Sequence, residues 1–217
     1  MAKKTEKIEH IKQSQDNKYP VSKLRRDPEA IHHYVNEIRI LSPSEYRKLR
    51  AVIPKDRHKT MLDVLLITGM RYVEVQRLWL HREWYLDKEN MIHLPEEAQK
   101  KVKRTQLERT ITPLPAMFGY ILKDFFENQK PPAEGNWNIN LRNWAIKAGI
   151  HPYGLSAKTT RKTLESWCVK AGVLESSVCL RAGHDSITSM KHYQGLAFND
   201  EETKDIQKQL TAWNFLK

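Results

Sequence analysis

The sequence predicts a mainly helical α+β domain with a small antiparallel β-sheet. Apolar residues recur at helical spacing, for example in the compact segment Met61–Ile67 and in the final segment 200–213. Two short segments, Met91–Leu94 and Arg109–Leu114, are rich in apolar or β-branched residues and are typical of strands. A Lys- and Arg-rich segment lies between them, so we expect the two strands to form a hairpin or a small sheet.

Capping residues and glycines predict the helix boundaries. Ser42 precedes a proline and is followed three residues later by Glu45, which predicts a helix start with a capping box. Gly69 interrupts the apolar segment before it, so a second helix is expected to begin near Arg71. Further helices are expected over residues 117–126, 139–148, 161–171 and 200–213.

The chain divides into two parts by composition. Residues 1–40 are charged and poor in large apolar side chains, which predicts a basic N-terminal arm or a short helix. The helical alternative rests on the spacing of Ile31, Tyr34, Val35 and Ile38. Residues 41–217 are expected to form one domain, with a C-terminal helix within residues 200–217.

The charge balance indicates a polyanionic partner. Lys and Arg total 37 against 26 Asp and Glu, which gives a formal net charge of +11. Nucleic acid is the first candidate, and an anionic membrane surface is the second. No apolar run approaches the roughly 20 residues that a membrane span requires. The two cysteines, Cys168 and Cys179, indicate neither a disulfide nor a zinc site, so we expect a cytoplasmic protein with no metal.

The segment Thr68–Arg71 puts a guanidinium at a predicted helix start. Gly69 permits a sharp turn, and the free backbone amides at the start of the next helix favour a phosphate beside Arg71. Glu74, one turn later, is placed to orient that side chain. The alternative is an ordinary Arg–Glu pair on an exposed helix surface.

Two further basic patterns suit a phosphate. In the turn between the predicted strands, Lys101 and Lys103 can reach a DNA backbone, and one of them can donate a proton to a leaving alkoxide. Lys158 and Arg161 share a helix face, so both cations can converge on one anion. The alternatives are a solvated turn in the first case and a solvated basic helix in the second.

The segment 183–193 contains the last candidates. His184 follows a glycine at a predicted helix junction, and Tyr193 lies nine residues later, near the end of a short helix that Asp185 and Ser186 can cap. Taken alone, Tyr193 is typical of a half-buried packing residue.

In their order along the chain, these residues resemble the catalytic domain of the tyrosine recombinase (phage integrase) family. Thr68–Leu78 matches the family motif T-G-x-R-x-x-E-x-x-x-L throughout. The family continues with a hairpin lysine, an H-x-x-R box, a Gly-His pair and a tyrosine nine residues later. The resemblance spans about residues 41–195. Lys158 replaces the first His of the box, a substitution that looks like some archaeal viral and plasmid integrases.

The resemblance implies a tyrosine recombinase catalytic-domain fold and site-specific DNA recombination through a 3′-phosphotyrosyl intermediate, without metal, ATP or another cofactor. The implied catalytic residues are Arg71, Lys101 or Lys103, Lys158, Arg161, His184 and Tyr193. The arginines would stabilise charge on the non-bridging phosphate oxygens, His184 would hydrogen-bond the phosphate, and Tyr193 would attack it. Lys158 would act as the base, and the hairpin lysine would protonate the leaving 5′-oxygen.

The resemblance also implies partners and a setting. The partners are double-stranded DNA attachment sites and, on DNA, three further protomers in a tetramer formed by exchange of the C-terminal helix, with a monomer in solution. Packing of that helix on its own domain is an equal alternative. The expected setting is the host cytoplasm, on DNA and away from membranes, where the enzyme integrates or excises a mobile element such as an archaeal viral genome.

Three other functions fit parts of the pattern. A type IB topoisomerase uses the same chemistry to relax DNA without exchanging partners. A basic DNA-binding protein could be a recombinase relative that has lost cleavage. A helical protein whose charge serves only solubility would show no salt-dependent DNA affinity.

Overall fold

The structure, a computed structural model, describes residues 33–98, 108–128, 130–183 and 198–216. The helices in these ranges are α1 (Pro43–Val52), α2 (Asp56–Thr68), α3 (Tyr72–Leu80), α4 (Phe118–Glu127), α5 (Glu134–Lys147), α6 (Thr159–Lys170), α7 (Glu175–Ala182) and α8 (Asp200–Ala212). The strands are β1 (Tyr34–Val35), β2 (Ile38–Arg39), β3 (Tyr85–Leu86), β4 (Met91–Leu94) and β5 (Arg109–Ile111). The mainly helical fold with small antiparallel sheets is confirmed. None of the helices in these ranges is long and apolar enough to span a membrane.

Helix α2 is at the centre of the core because every residue from Thr60 to Thr68 is buried. Leu62, Leu65 and Leu66 are fully buried, and the helix packs against α4 and α6. The buried carboxylate of Asp63 accepts hydrogen bonds from the Tyr46 hydroxyl (2.7 Å) and from Arg50 Nε (2.8 Å). A charged group inside the core is thereby paired, which is the condition for burying it without a large loss of stability.

Strand β4 is the middle strand of the larger sheet. It pairs antiparallel with β3 on one edge and with β5 on the other, and Ile92 lies opposite Ile111. The predicted β4–β5 pairing is confirmed, although β5 ends earlier than expected and β3 is an additional strand. Alternate residues of a strand share a face, so Arg109 points to the same buried side as Ile111.

Residues 34–39 form a hairpin where a short helix was the expected alternative to a basic arm. The turn residues Asn36 and Glu37 have φ angles of 46° and 62°, which are left-handed values incompatible with a right-handed helix. After the hairpin, the Leu41 amide donates a hydrogen bond to Thr163 Oγ1 on α6 at 3.1 Å. The helical interpretation of this segment is therefore wrong, and the domain boundary near residue 40 stays a prediction.

The C-terminal helix packs on its own domain. Ile206 and Leu210 of α8 are fully buried. The Trp213 ring lies 6.0 Å from that of Trp167 on α6 and 6.5 Å from that of Tyr46 on α1, between ring centroids. This is one of the two arrangements that the sequence left open for the C-terminal helix.

Gly69 makes the turn that delivers Arg71. It ends α2 with φ 64°, and its amide donates to the Leu65 carbonyl at 3.2 Å. Arg71 is then the N-cap residue of α3, and its backbone amide donates to Glu74 Oε2 at 2.7 Å. The helix start predicted near Arg71 is confirmed.

We expect Gly69→Ala to lower the free energy of unfolding by about 1–3 kcal/mol, because a non-glycine residue is strained at this positive φ. The added Cβ would also lie 2.9 Å from Leu164 Cδ2. Gly135→Ala is the matched control, because nothing lies within 4 Å of its added Cβ and its φ is not positive. Urea unfolding of the three proteins measures the difference, and an equal effect of both substitutions would contradict the assignment.

Candidate active site

The structure describes three of the seven predicted site residues. Arg71, Lys158 and Arg161 lie at the beginnings of α3 and α6. Lys101, Lys103, His184 and Tyr193 lie outside the described residues.

Arg71 is held by a buried carboxylate. Its Nη1 donates to Glu74 Oε1 at 2.8 Å, while its backbone amide donates to the other carboxylate oxygen. Glu74 is fully buried, whereas the Arg71 side chain is 25% exposed. The pair is therefore not an ordinary contact on an exposed helix surface. The Glu74 carboxylate lies inside the domain, whereas the Arg71 guanidinium that it binds is accessible to solvent or to a ligand.

Arg109 on β5 is a second cation on the same carboxylate. Its Nη2 lies 2.6 Å from Glu74 Oε2, and its Nε donates to the Arg181 carbonyl at 3.0 Å. No sequence motif indicated Arg109 as a site residue. The signal that could have found it is the alternation of β5, which puts Arg109 on the buried face with Ile111.

Arg161, in the first turn of α6, joins two other segments. Its Nη1 donates to the Gly69 carbonyl at 3.2 Å and its Nη2 donates to the Ala182 carbonyl at the end of α7. Its Nε forms an ion pair with Glu165 Oε1 at 2.9 Å. Each terminal nitrogen thus donates one of its two N–H groups to a main-chain carbonyl.

Glu165 and Arg181 are buried charged residues that were also missed. Glu165 lies four residues after Arg161, so helical spacing could have indicated it. The Arg181 guanidinium donates to the main-chain carbonyls of Pro113 (2.9 Å) and Ile67 (2.8 Å), two long-range contacts that no local pattern signals.

The electrostatics of the cluster favour an anionic ligand. Burial and, next in size, the positive charge of Arg161 lower the pKa of Arg71 to about 10, although Glu74 opposes the shift. Arg71 is still protonated at neutral pH, so two neighbouring guanidiniums are both charged and repel each other. A phosphate bound between them would offset both the lost hydration and the repulsion.

The carboxylate of Glu74 stays ionised in this setting. Burial alone would raise its pKa, but the guanidinium of Arg109, followed by those of Arg71 and Arg161, outweighs the burial and lowers the pKa to about 2. Glu74 therefore serves as a permanent negative charge at neutral pH, with the arginines around it.

Lys158 stands at the edge of this cluster. It is the N-cap residue of α6, three residues before Arg161, and it is exposed. Arg161 is almost entirely buried. The two cations predicted to converge thus lie within one helical turn of each other, with Arg161 held inside and Lys158 at the solvent boundary.

The segment that leads to His184 begins at the cluster. Gly183 ends α7 with φ 65°, and a Cβ added to it would lie 3.1 Å from Arg109 Cδ. The preceding carbonyl, of Ala182, accepts the Arg161 hydrogen bond. Ala182 and Gly183, the two residues before His184, therefore lie against Arg161 and Arg109 respectively.

Comparison with known proteins identifies the fold. No family model and no curated protein sequence matches the chain. The structure of XerA recombinase matches with a TM-score of 0.57 and 17% identity, over 91% of this chain and 70% of that one. The Tn1549 transposon integrase in complex with circular intermediate DNA matches with a TM-score of 0.59 and 14% identity, over 94% and 76%. The same integrase in complex with transposon right-end DNA matches with a TM-score of 0.58 and 14% identity, over 90% and 71%. The chain therefore has the fold that the tyrosine recombinase resemblance implies.

We expect the difference in the free energy of unfolding between the wild type and Glu74→Gln to decrease as the pH is lowered. The pKa of Glu74 is about 2 in the folded protein against an ordinary value of 4.5. The stabilisation is therefore complete above pH 4.5 and is lost as pH falls toward 2, by about 1.4 kcal/mol per pH unit.

Urea unfolding of both proteins at pH 6.0, 4.5 and 3.5 measures this convergence. Glu89→Gln, an exposed carboxylate in the turn before β4, is the control. A constant difference between wild type and Glu74→Gln across this range would show that Glu74 is not held ionised by the arginines.

Proposed function

We propose that the protein is a tyrosine-type site-specific recombinase that cleaves and rejoins DNA strands through a 3′-phosphotyrosyl intermediate. The observation that carries the proposal is that Arg161 donates to the Gly69 carbonyl, two residues before Arg71, and that each of the two arginines pairs with a buried carboxylate. The fold supports it, because XerA is a recombinase and the Tn1549 integrase was solved bound to DNA.

The chemistry follows from the proposed roles. The Tyr193 hydroxyl oxygen attacks the phosphorus while the bond to the 5′-oxygen breaks. Lys158 takes the phenolic proton, and Lys101 or Lys103 supplies a proton to the leaving oxygen. The phosphotyrosyl bond replaces the phosphodiester bond, so a 5′-hydroxyl from another strand can reverse the attack with no hydrolysis and no ATP.

The arginines act on the charge that develops during this exchange. Arg71 and Arg161 donate to the non-bridging oxygens of the phosphate, and His184 adds a hydrogen bond. Because the cluster is already assembled around Glu74 and Glu165, the two guanidiniums need little reorganisation when the transition state forms. Stabilisation by fixed cations is consistent with a reaction that uses no metal.

The finer parts of the proposal concern the substrate and the assembly. The substrate is a double-stranded attachment site of a mobile element, and Lys158 at the first position of its box favours an archaeal virus or plasmid. Four protomers assemble on DNA in the host cytoplasm, each lending its C-terminal helix α8 to a neighbour. Off DNA the protein is a monomer with α8 packed on its own domain.

We expect the wild type to form an SDS-resistant covalent adduct with a pool of nicked duplexes whose core sequence is randomised. The nick releases the short fragment beside the cleaved phosphate, which traps the phosphotyrosyl intermediate. Tyr193→Phe should form no adduct, because phenylalanine has no hydroxyl oxygen to attack with. Tyr120→Phe is the control, since Tyr120 is 80% exposed on α4, and it should form as much adduct as the wild type.

Each other outcome has a distinct meaning. An adduct with Tyr193→Phe would show that the nucleophile is another residue. Salt-dependent DNA binding without any adduct would favour a non-cleaving DNA-binding protein. Relaxation of supercoiled plasmid without strand exchange would favour a topoisomerase.

We expect Lys158→Met to lower the rate constant of adduct formation by about 10²–10⁴-fold, the range for loss of a general base. Lys158→His should recover part of the rate, because an imidazole can accept the proton. Lys170→Met removes another exposed lysine, at the end of α6, and should leave the rate unchanged. An unchanged rate constant in Lys158→Met would exclude Lys158 as the base.

A further inference from the structure

A third guanidinium, that of Arg109, is buried beside the proposed catalytic arginines and has no part in the chemistry above. The side chain of Arg109 is 1% exposed, so it cannot touch DNA. Burying a charged group is unfavourable unless its partners compensate for the lost hydration. Its place in the fold therefore depends on the groups that it contacts.

Arg109 contacts two of the segments that carry predicted catalytic residues. Its Nη2 lies 2.6 Å from Glu74 Oε2, and the other oxygen of that carboxylate binds Arg71. Its Nε donates to the Arg181 carbonyl in the last turn of α7. Its side chain also lies against Gly183, where an added Cβ would come within 3.1 Å of its Cδ.

Arg109 itself lies next to a third segment that carries predicted catalytic residues. β5 follows the segment with Lys101 and Lys103, and it pairs with β4. One planar guanidinium thus connects the hairpin strand with the Arg71 helix and with the turn before His184. A lysine at this position could not do the same, because its ammonium is a compact point charge without the fixed fork of donors.

We propose that Arg109 is a positioning residue that sets the direction of the Arg71 guanidinium through Glu74 and fixes the turn at Gly183. This inference rests on the proposed function for its kinetic consequence. Glu74 has two oxygens and is shared between two arginines, so Arg109 holds one oxygen and leaves the other directed at Arg71. Without Arg109, Oε2 keeps only the Arg71 backbone amide as a described partner, so the carboxylate is held less firmly and the Arg71 guanidinium can shift with it.

The first test is the rate of adduct formation with Arg109→Lys, measured with protein in excess over the randomised nicked duplexes. We expect the rate constant to fall by about 10–100-fold, because a misplacement of about 1 Å has an effect of that size. The dissociation constant for the same duplexes should change by less than about threefold, since Arg109 is buried. Arg82→Lys is the control, because Arg82 also donates to a main-chain carbonyl, that of Phe126, and lies outside this cluster.

The second test is a double-mutant cycle with Glu74→Gln. If Arg109 acts through Glu74, the double variant Arg109→Lys/Glu74→Gln is no slower than the slower single variant. Independent roles predict that the two losses multiply. A folded Arg109→Lys with the wild-type rate constant, or losses that multiply, would overturn the proposal.

Two further measurements keep the outcome decisive. If Arg109→Lys does not fold, Arg109→Met/Glu74→Gln removes both buried charges together, and a wild-type rate in that protein would overturn the proposal. If the wild type forms no adduct, the proposed function fails by itself. Crystal structures of the wild type and Arg109→Lys then decide: an Arg71 guanidinium displaced by about 1 Å or more supports the positioning role, and an unmoved one overturns it.

Discussion

The buried carboxylate of Glu74 is the interaction on which the arrangement of the candidate site depends. It accepts hydrogen bonds from the side chain and backbone of Arg71 and from the side chain of Arg109. Without this negative charge, the neighbouring cations would repel each other in a poorly hydrated place, and at least one would have to turn to solvent. Glu74 therefore makes it possible to hold Arg71 and Arg109 close together inside the domain.

The surrounding fold keeps this cluster in position through segments that are far apart in sequence. Helix α2 forms the centre of the core, and Gly69 at its end turns the chain into the Arg71 helix. Arg161 reaches back to the Gly69 carbonyl and across to Ala182, so α6 and α7 are tied to the same turn. The cluster thus lies where the end of α2, the start of α6 and the end of α7 come together.

Such a cluster is suited to reactions in which negative charge increases. The two guanidiniums are charged, partly desolvated and mutually repulsive, so an oxyanion that binds between them gains from each of these features. The same features also explain why buried carboxylates, Glu74 and Glu165, accompany the arginines: each compensates a cation that would otherwise oppose folding.

The sequence by itself determined the features that depend on short-range interactions. The capping box at Ser42, the turn at Gly69 and the pairing of β4 with β5 follow from local backbone preferences, and Arg71 and Arg161 were indicated by the order of motifs. Only the tertiary structure decided that residues 34–39 turn back as a hairpin and that Arg109 shares the carboxylate of Glu74. These outcomes depend on burial and on contacts between distant segments, such as the 35 residues that separate Arg109 from Glu74, and spacing along the chain carries no record of such contacts.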